Sequence, residues 1–202
     1  AAETAVQNWA SDLTPVDEGL TIPAQVNYVG KGAKITDLGY EWDGSISVIT
    51  NYLRTTWLWE KIRAQGGAYG AFMATDRRQG VLSYISYRDP NLVGTLENYD
   101  GTAVFLRNLD LHRDELVKSI IGVIGNMDSY QLPDAKGYTS MIWHLLGETD
   151  AERQAYREQV LTTSKADFNA FADVLDTVAQ NAQIVVLGAS DAIAQANEQG
   201  GL

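Results

Sequence analysis

The chain has 202 residues, with a hydrophobic share of 45% and a charged share of 20%, enough for one well-buried domain and ordinary for a soluble protein. No run of about 18 apolar residues is present to span a membrane, and the absence of cysteine excludes disulfides and thiolate metal sites and favours a reducing compartment. A formal charge of −11 argues against a nucleic-acid partner.

In chain order, Ala1 to Ala10 lacks the basic end and apolar stretch of a signal peptide. Like the finish Gln199-Gly200-Gly201-Leu202, it reads as an arbitrary cut in a longer chain. After Pro23, the segment Gln25 to Val29 predicts a strand. From Ser45 the period changes: Ile46, Ile49, Leu53, Trp57 and Ile62 follow helical spacing, with Asp43 or Ser45 as the cap. Gly66-Gly67 ends that helix.

Tyr69 to Thr75 and Val81 to Tyr87 predict a hairpin around the turn Asp76 to Gly80. Asp89-Pro90 predicts a helix start, with Leu92, Leu96, Tyr99 and Ala103 on its inner face. Another helix is expected from about Asp114, with Leu116, Ile120 and Ile124 as its stripe. Pro133-Asp134 starts a further one, with Tyr138, Met141, Ile142 and Leu145 expected inside. Thr149-Asp150-Ala151-Glu152 fits a capping box, and Ser164 to Asp167 a weaker version before Phe168, Phe171, Leu175 and Val178. Gln183 to Leu187 reads as a short strand, and Ser190 as the cap of a last helix. The order strand, helix, hairpin, helices, strand, helix predicts an α+β fold, helices packed on one face of a mostly antiparallel sheet. The chain has no internal repeat or low-complexity linker, so a single domain over 21–202 is expected, after an N-terminal segment 1–20.

Catalytic residue types are sparse. His112 and His144 fit neither His-Glu-x-x-His nor its inverse, so no imidazole pair forms from helical spacing. His144 has Glu148 one turn on but no second imidazole; it reads as a partly buried helix histidine and His112 as a helix-end one. No Gly-x-Ser-x-Gly elbow occurs, and Gly30-Lys31-Gly32 and Gly122-Val123-Ile124-Gly125 are too sparse for phosphate loops. No metal or other cofactor is expected on this chain alone.

The charge is unevenly spread. Residues 54–88 hold Arg54, Lys61, Arg63, Arg77, Arg78 and Arg88 against Glu60 and Asp76, a net +4 inside an acidic chain. Such an island suits contacts to carbonyls or carboxylates. Within it, Arg63 to Gly70 has a helix ending on an arginine, two glycines, and a strand starting with a tyrosine. Arg63 and Tyr69 can then aim at one point, a guanidinium fork beside a phenol, suited to a peptide carbonyl or an oxyanion. A plainer reading stands beside it: Arg63 complements the helix dipole and Tyr69 is a strand aromatic.

The strings Trp57 to Arg63 and Gly66 to Gly70 resemble the C-terminal half of presequence proteases, a branch of the insulinase (pitrilysin-type) zinc peptidases. Ser86 to Leu92, Tyr99 to Thr102, Ile121-Gly122, Asp128 to Tyr138 and Leu161 to Ser164 extend the resemblance over residues 20–197. The Ser86–Asn91 and Asp128–Tyr138 strings are expected to serve capping and turns. The resemblance implies four homologous α+β domains in two halves that close around unfolded peptides. It implies zinc in the N-terminal half, held by His-x-x-Glu-His and a distant Glu, and an arginine and tyrosine reaching across from the second half. By the motif, these are Arg63 and Tyr69. The expected partners are therefore the zinc-bearing half and a peptide substrate, with the fragment alone inactive. The bacterial cytoplasm is the expected compartment, although relatives also occur in organelles. Two other readings remain: a binding subunit that pairs with a separate zinc-bearing chain, or a plain interaction domain.

Overall fold

In a computed structural model that describes residues 15–199, five strands form one sheet. They are β1 (Glu18–Thr21), β2 (Tyr28–Lys34), β3 (Gly70–Asp76), β4 (Val81–Tyr87) and β5 (Gln183–Gly188), in the order β1-β5-β2-β4-β3. Every neighbouring pair is antiparallel except β1–β5, as the sequence led one to expect of a mostly antiparallel sheet. The hairpin falls where alternation placed it, and Asp76 Oδ1 closes its turn by accepting from Arg78 N and Gln79 N at 2.8 and 3.0 Å.

The first predicted strand lies three residues late: β2 runs on through Gly30-Lys31-Gly32, which the sequence left as a bare glycine pair. These glycines suit a strand in which Lys31 is buried and ion-paired to Asp100 at 2.6 Å. At Gly32 a Cβ would meet Leu82 O at 3.0 Å, so the neighbouring strand comes too close for a side chain. The sequence did not reveal β1 at all. Of the expected N-terminal segment 1–20, residues 1–14 lie outside the described residues, as do 200–202 of the glycine-rich finish.

The helices are α1 (Ser45–Thr55), α2 (Val93–Asp100), α3 (Thr102–Arg107), α4 (Arg113–Met127), α5 (Pro133–Leu145), α6 (Asp150–Thr162), α7 (Lys165–Asn181) and α8 (Ser190–Glu198). Between α1 and β3 runs a π-helical stretch, Trp59–Gln65. The core lies between the sheet and these helices. Val29, Ala33, Met73, Leu82, Tyr84 and Val186 face it from the strands, and Ile46, Ile49, Leu53, Phe168, Phe171 and Leu175 from the helices. Tyr99 stacks on Tyr84 at 4.8 Å and donates to Val29 O at 3.1 Å. Burial pushes both phenols far above their ordinary pKa. The opposite face of the sheet stays open, with Phe72, Ile85, Tyr87 and Val185 exposed.

Both predicted capping boxes form. Thr149 and Glu152 exchange bonds at 2.8 and 3.2 Å, which holds the Glu152 carboxyl below the usual range, and Asp167 Oδ2 accepts from Ser164 N at 2.7 Å. Asp43 Oδ1 accepts from Ser45 N at 2.8 Å, so of the two cap candidates the aspartate takes the bond. Ser190 is the first residue of α8, its cap position taken by Ala189.

Three helix expectations need correcting, the first being that the helix expected to carry Leu92, Leu96, Tyr99 and Ala103 divides at Gly101 into α2 and α3. The inner face assigned to α5 is not inside: Tyr138, Met141 and Leu145 are exposed and no α5 residue is buried. The helical period was right, yet no described element covers that stripe. At Asp89-Pro90, α2 starts only at Val93, because Asp89 is fully buried and serves a wider junction. Its Oδ1 accepts from Asn91 N at 2.9 Å and its Oδ2 from Thr95 Oγ1 at 2.7 Å. Its backbone pairs with Asn27 in both directions, at 2.7 and 2.8 Å. Asp89→Ala strips both acceptors from a dry site, so urea unfolding should show a loss of about 2–4 kcal/mol. A midpoint near that of the parent would contradict this role for Asp89.

Candidate functional site

The site is built where the helix that begins at Ser45 runs out. After Thr55 the backbone widens into the π-helical stretch Trp59–Gln65, a form that is rare and frequent at functional sites. Leu58 and Ile62 anchor it in the core. Its exposed side chains largely satisfy one another: Gln65 Nε2 donates to Glu60 Oε1 at 2.8 Å, and Lys61 lies over the Trp57 ring at 5.4 Å. Trp57 is itself held by Asn98 O at 2.8 Å and by stacking on Phe105.

The turn that follows depends on its two glycines. Gly66 N and Gly67 N both bond to Arg63 O, and Ala68 N reaches Ile62 O at 3.0 Å. Gly67 has φ +81°, the left-handed region that side chains avoid. A Cβ on Gly66 would lie 2.6 Å from Ile62 O. Asn91 Nδ2 clamps the turn from outside by donating to Gly66 O at 2.6 Å, which gives the Ser86–Asn91 string its structural work.

Ile62 and Ala68 are thus both buried, and the next residue after each, Arg63 and Tyr69, is exposed. Tyr69 is 69% exposed, its ring packed edge-on against Tyr87 at 5.9 Å, which in turn packs against Tyr28 at 5.3 Å. That aromatic row braces one side of the ring, and no hydrogen bond among the described residues engages its hydroxyl. Arg63 and Tyr69 line the same two cavities, of about 760 and 660 Å³, within the size range of ligand pockets. The structure therefore brings together the two residues that sequence reasoning singled out.

It also adds three that sequence reasoning did not assign to the site: Trp59 to both cavities, Arg54 to the larger and Arg88 to the smaller. The basic island held the signal for both arginines. The fold divides that island in two. Arg78 pairs with Glu148 at 3.2 Å and Arg77 lies over the Tyr156 ring, at the far end of the hairpin. No ion pair among the described residues involves Arg54, Arg63 or Arg88.

The arrangement supplies donors and positive charge. Among the described residues no group of three or more His, Cys, Asp and Glu side chains could hold a metal ion. His112 and His144 are both exposed, so His144 is not the partly buried histidine expected, and Glu148 turns to Arg78 instead. No helix among the described residues is long and apolar enough to cross a membrane.

Residues 17–191 match the family model described as the PreP C-terminal domain. The chain is 52% identical over 191 residues to presequence protease 1, chloroplastic/mitochondrial, of Arabidopsis thaliana, covering 95% of this chain and 18% of that protein. It thus spans under a fifth of that relative's length. Among solved structures, the peptidase M16 inactive domain from Pseudomonas fluorescens superposes with a TM-score of 0.65 at 14% identity, over 93% of this chain and 47% of that one. Pitrilysin does so with a TM-score of 0.59 at 14% identity, over 86% and 19%.

Because the added Cβ would press on a fixed carbonyl, Gly66→Ala should destabilise the domain by about 1–3 kcal/mol and disturb the Arg63–Tyr69 turn. Thermal unfolding at the parent's midpoint would show that the turn tolerates a side chain there.

Proposed function

The chain belongs to the PreP C-terminal domain family, and on that premise we propose that it is the non-zinc-binding C-terminal domain of a zinc-dependent endopeptidase acting on short unstructured peptides. Its own part is to hold the peptide and to stabilise the transition state through Arg63 and Tyr69. The observation that carries this reading is their shared lining of two cavities beside a glycine turn that admits little alternative geometry.

When a peptide carbonyl is attacked, negative charge grows on its oxygen. The Tyr69 hydroxyl is a neutral donor on a braced ring, and the Arg63 guanidinium a permanent positive fork. Donors aimed at that oxygen are worth most once water is excluded. On this reading the zinc is held by another part of a longer protein. The long remainder of the presequence protease relative favours a zinc-bearing half on the same chain over a separate subunit. Peptide and zinc-bearing half are then the partners, and the fragment by itself is inactive.

Removing one such donor costs about 2.7–4 kcal/mol in the transition state, roughly 10²–10³ in turnover. In the full-length peptidase, Tyr69→Phe should lose turnover on that scale while zinc content and thermal midpoint hold. Arg63→Ala should do the same with a larger rise in KM, because the guanidinium also grips the ground-state peptide. If both variants turned over like the parent, this lobe would have no part in the chemistry.

A further inference from the structure

β3 is an outer strand: it is bonded to β4 on one side and, among the described residues, to no strand on the other. Its outer edge therefore carries backbone N–H and C=O groups without a ladder partner. Proteins usually guard such an edge with charge, proline or a cover. Here the strand reads Gly-Ala-Phe-Met-Ala-Thr before its first charge at Asp76.

The larger cavity lies against the start of this strand. Gly70, Ala71 and Phe72 line it from β3, and Arg54 lines it from the last turn of α1. Phe72 leans back over Gly70, where a Cβ would meet its ring at 2.9 Å, so the missing side chain at 70 leaves room for that ring. Arg54 is exposed, and among the described residues its guanidinium donates only to the neutral Asn51 Oδ1, at 2.9 Å. Among 26 acidic residues in the chain, no described one pairs with it. A guanidinium fork beside an unpaired strand edge has the chemistry to receive an extended chain that carries a carboxylate.

We propose that this groove is a second substrate-binding site, in which an extended acidic peptide adds to the free edge of β3 and one of its carboxylates pairs with Arg54. The proposal rests on the reading that Arg63 and Tyr69 hold the scissile carbonyl, since both line the same cavity and Tyr69 immediately precedes β3. A strand advances about 3.3 Å per residue, so a carboxylate within a few residues of the scissile bond comes beside Gly70 to Phe72. Main-chain pairing makes little demand on sequence, which suits unstructured peptides. Arg54 then supplies the preference among them.

The test uses the full-length peptidase and peptide pairs that differ only by Glu or Gln at one position near the scissile bond, scanned along each side. The expected result is a position at which kcat/KM favours the Glu peptide by roughly three- to tenfold at low salt, shrinking in concentrated salt. Arg54→Gln should bring that ratio to about one. Backbone amides of 70–76 should exchange more slowly when the Glu peptide binds the metal-depleted protein. No preferred position in the parent, a ratio that survives Arg54→Gln, or unchanged exchange along β3 would each overturn the proposal. Tyr69→Phe should slow both peptides alike and keep the ratio. A silent Tyr69→Phe with an Arg54-dependent ratio would therefore sink the catalytic reading alone, and the reverse pattern would sink this one alone.

Discussion

The hydrogen bond from Ala68 N to Ile62 O, at 3.0 Å, sets the geometry of everything around the site. It joins two buried residues across six positions, and so forces the intervening chain into a tight reversal. Glycine at 66 and 67 closes that loop without strain, because Gly67 sits at positive φ and Gly66 nearly touches the Ile62 and Lys61 carbonyls. With both ends pinned in the core, the residue following each is turned outward. Arg63 and Tyr69 are thus positioned by apolar burial and backbone bonding, with no help from each other.

From that turn outward, the surroundings are arranged by charge that is kept free. In an acidic chain most basic side chains find carboxylates or aromatic faces, as Arg107 does with Asp173 and Asp176, and Arg157 with Asp128. Near the cavities, no carboxylate or aromatic face among the described residues pairs with Arg54, Arg63 or Arg88. Free guanidinium groups repel each other and gain little stability for the domain, so their clustering is better explained by what they receive. On the proposed function that partner is a peptide, whose carbonyls and carboxylates suit guanidinium groups.

Much of the fold was legible because its signals are local. The hairpin strands, the Thr149 and Ser164 caps and the glycine stop after Ile62 each depend on residues within about one turn of one another. The placement of Arg63 and Tyr69 at the two ends of one glycine turn was legible for the same reason, while their role came from the family resemblance. Features set by distant contacts were not. Asp89 looks like a helix cap in sequence but is captured by Asn27, 62 positions away. β1 has no apolar alternation and exists because β5 pairs with it. The stripe on α5 has the right period and nothing described to pack against, since periodicity names a face without naming its partner. Arg54, Trp59 and Arg88 joined the site only when α1, the π-helical stretch and the β4–α2 loop met around the cavities.

In the proposed function, Arg63 and Tyr69 converge on the oxygen that becomes charged. A crystal structure of the full-length peptidase with a peptide phosphonate, whose tetrahedral group imitates the attacked carbonyl, tests it most directly. The expected result is the Tyr69 hydroxyl and an Arg63 nitrogen each about 2.7–3.1 Å from one phosphonyl oxygen. Both side chains turned away, with water or another residue at that oxygen, would contradict it.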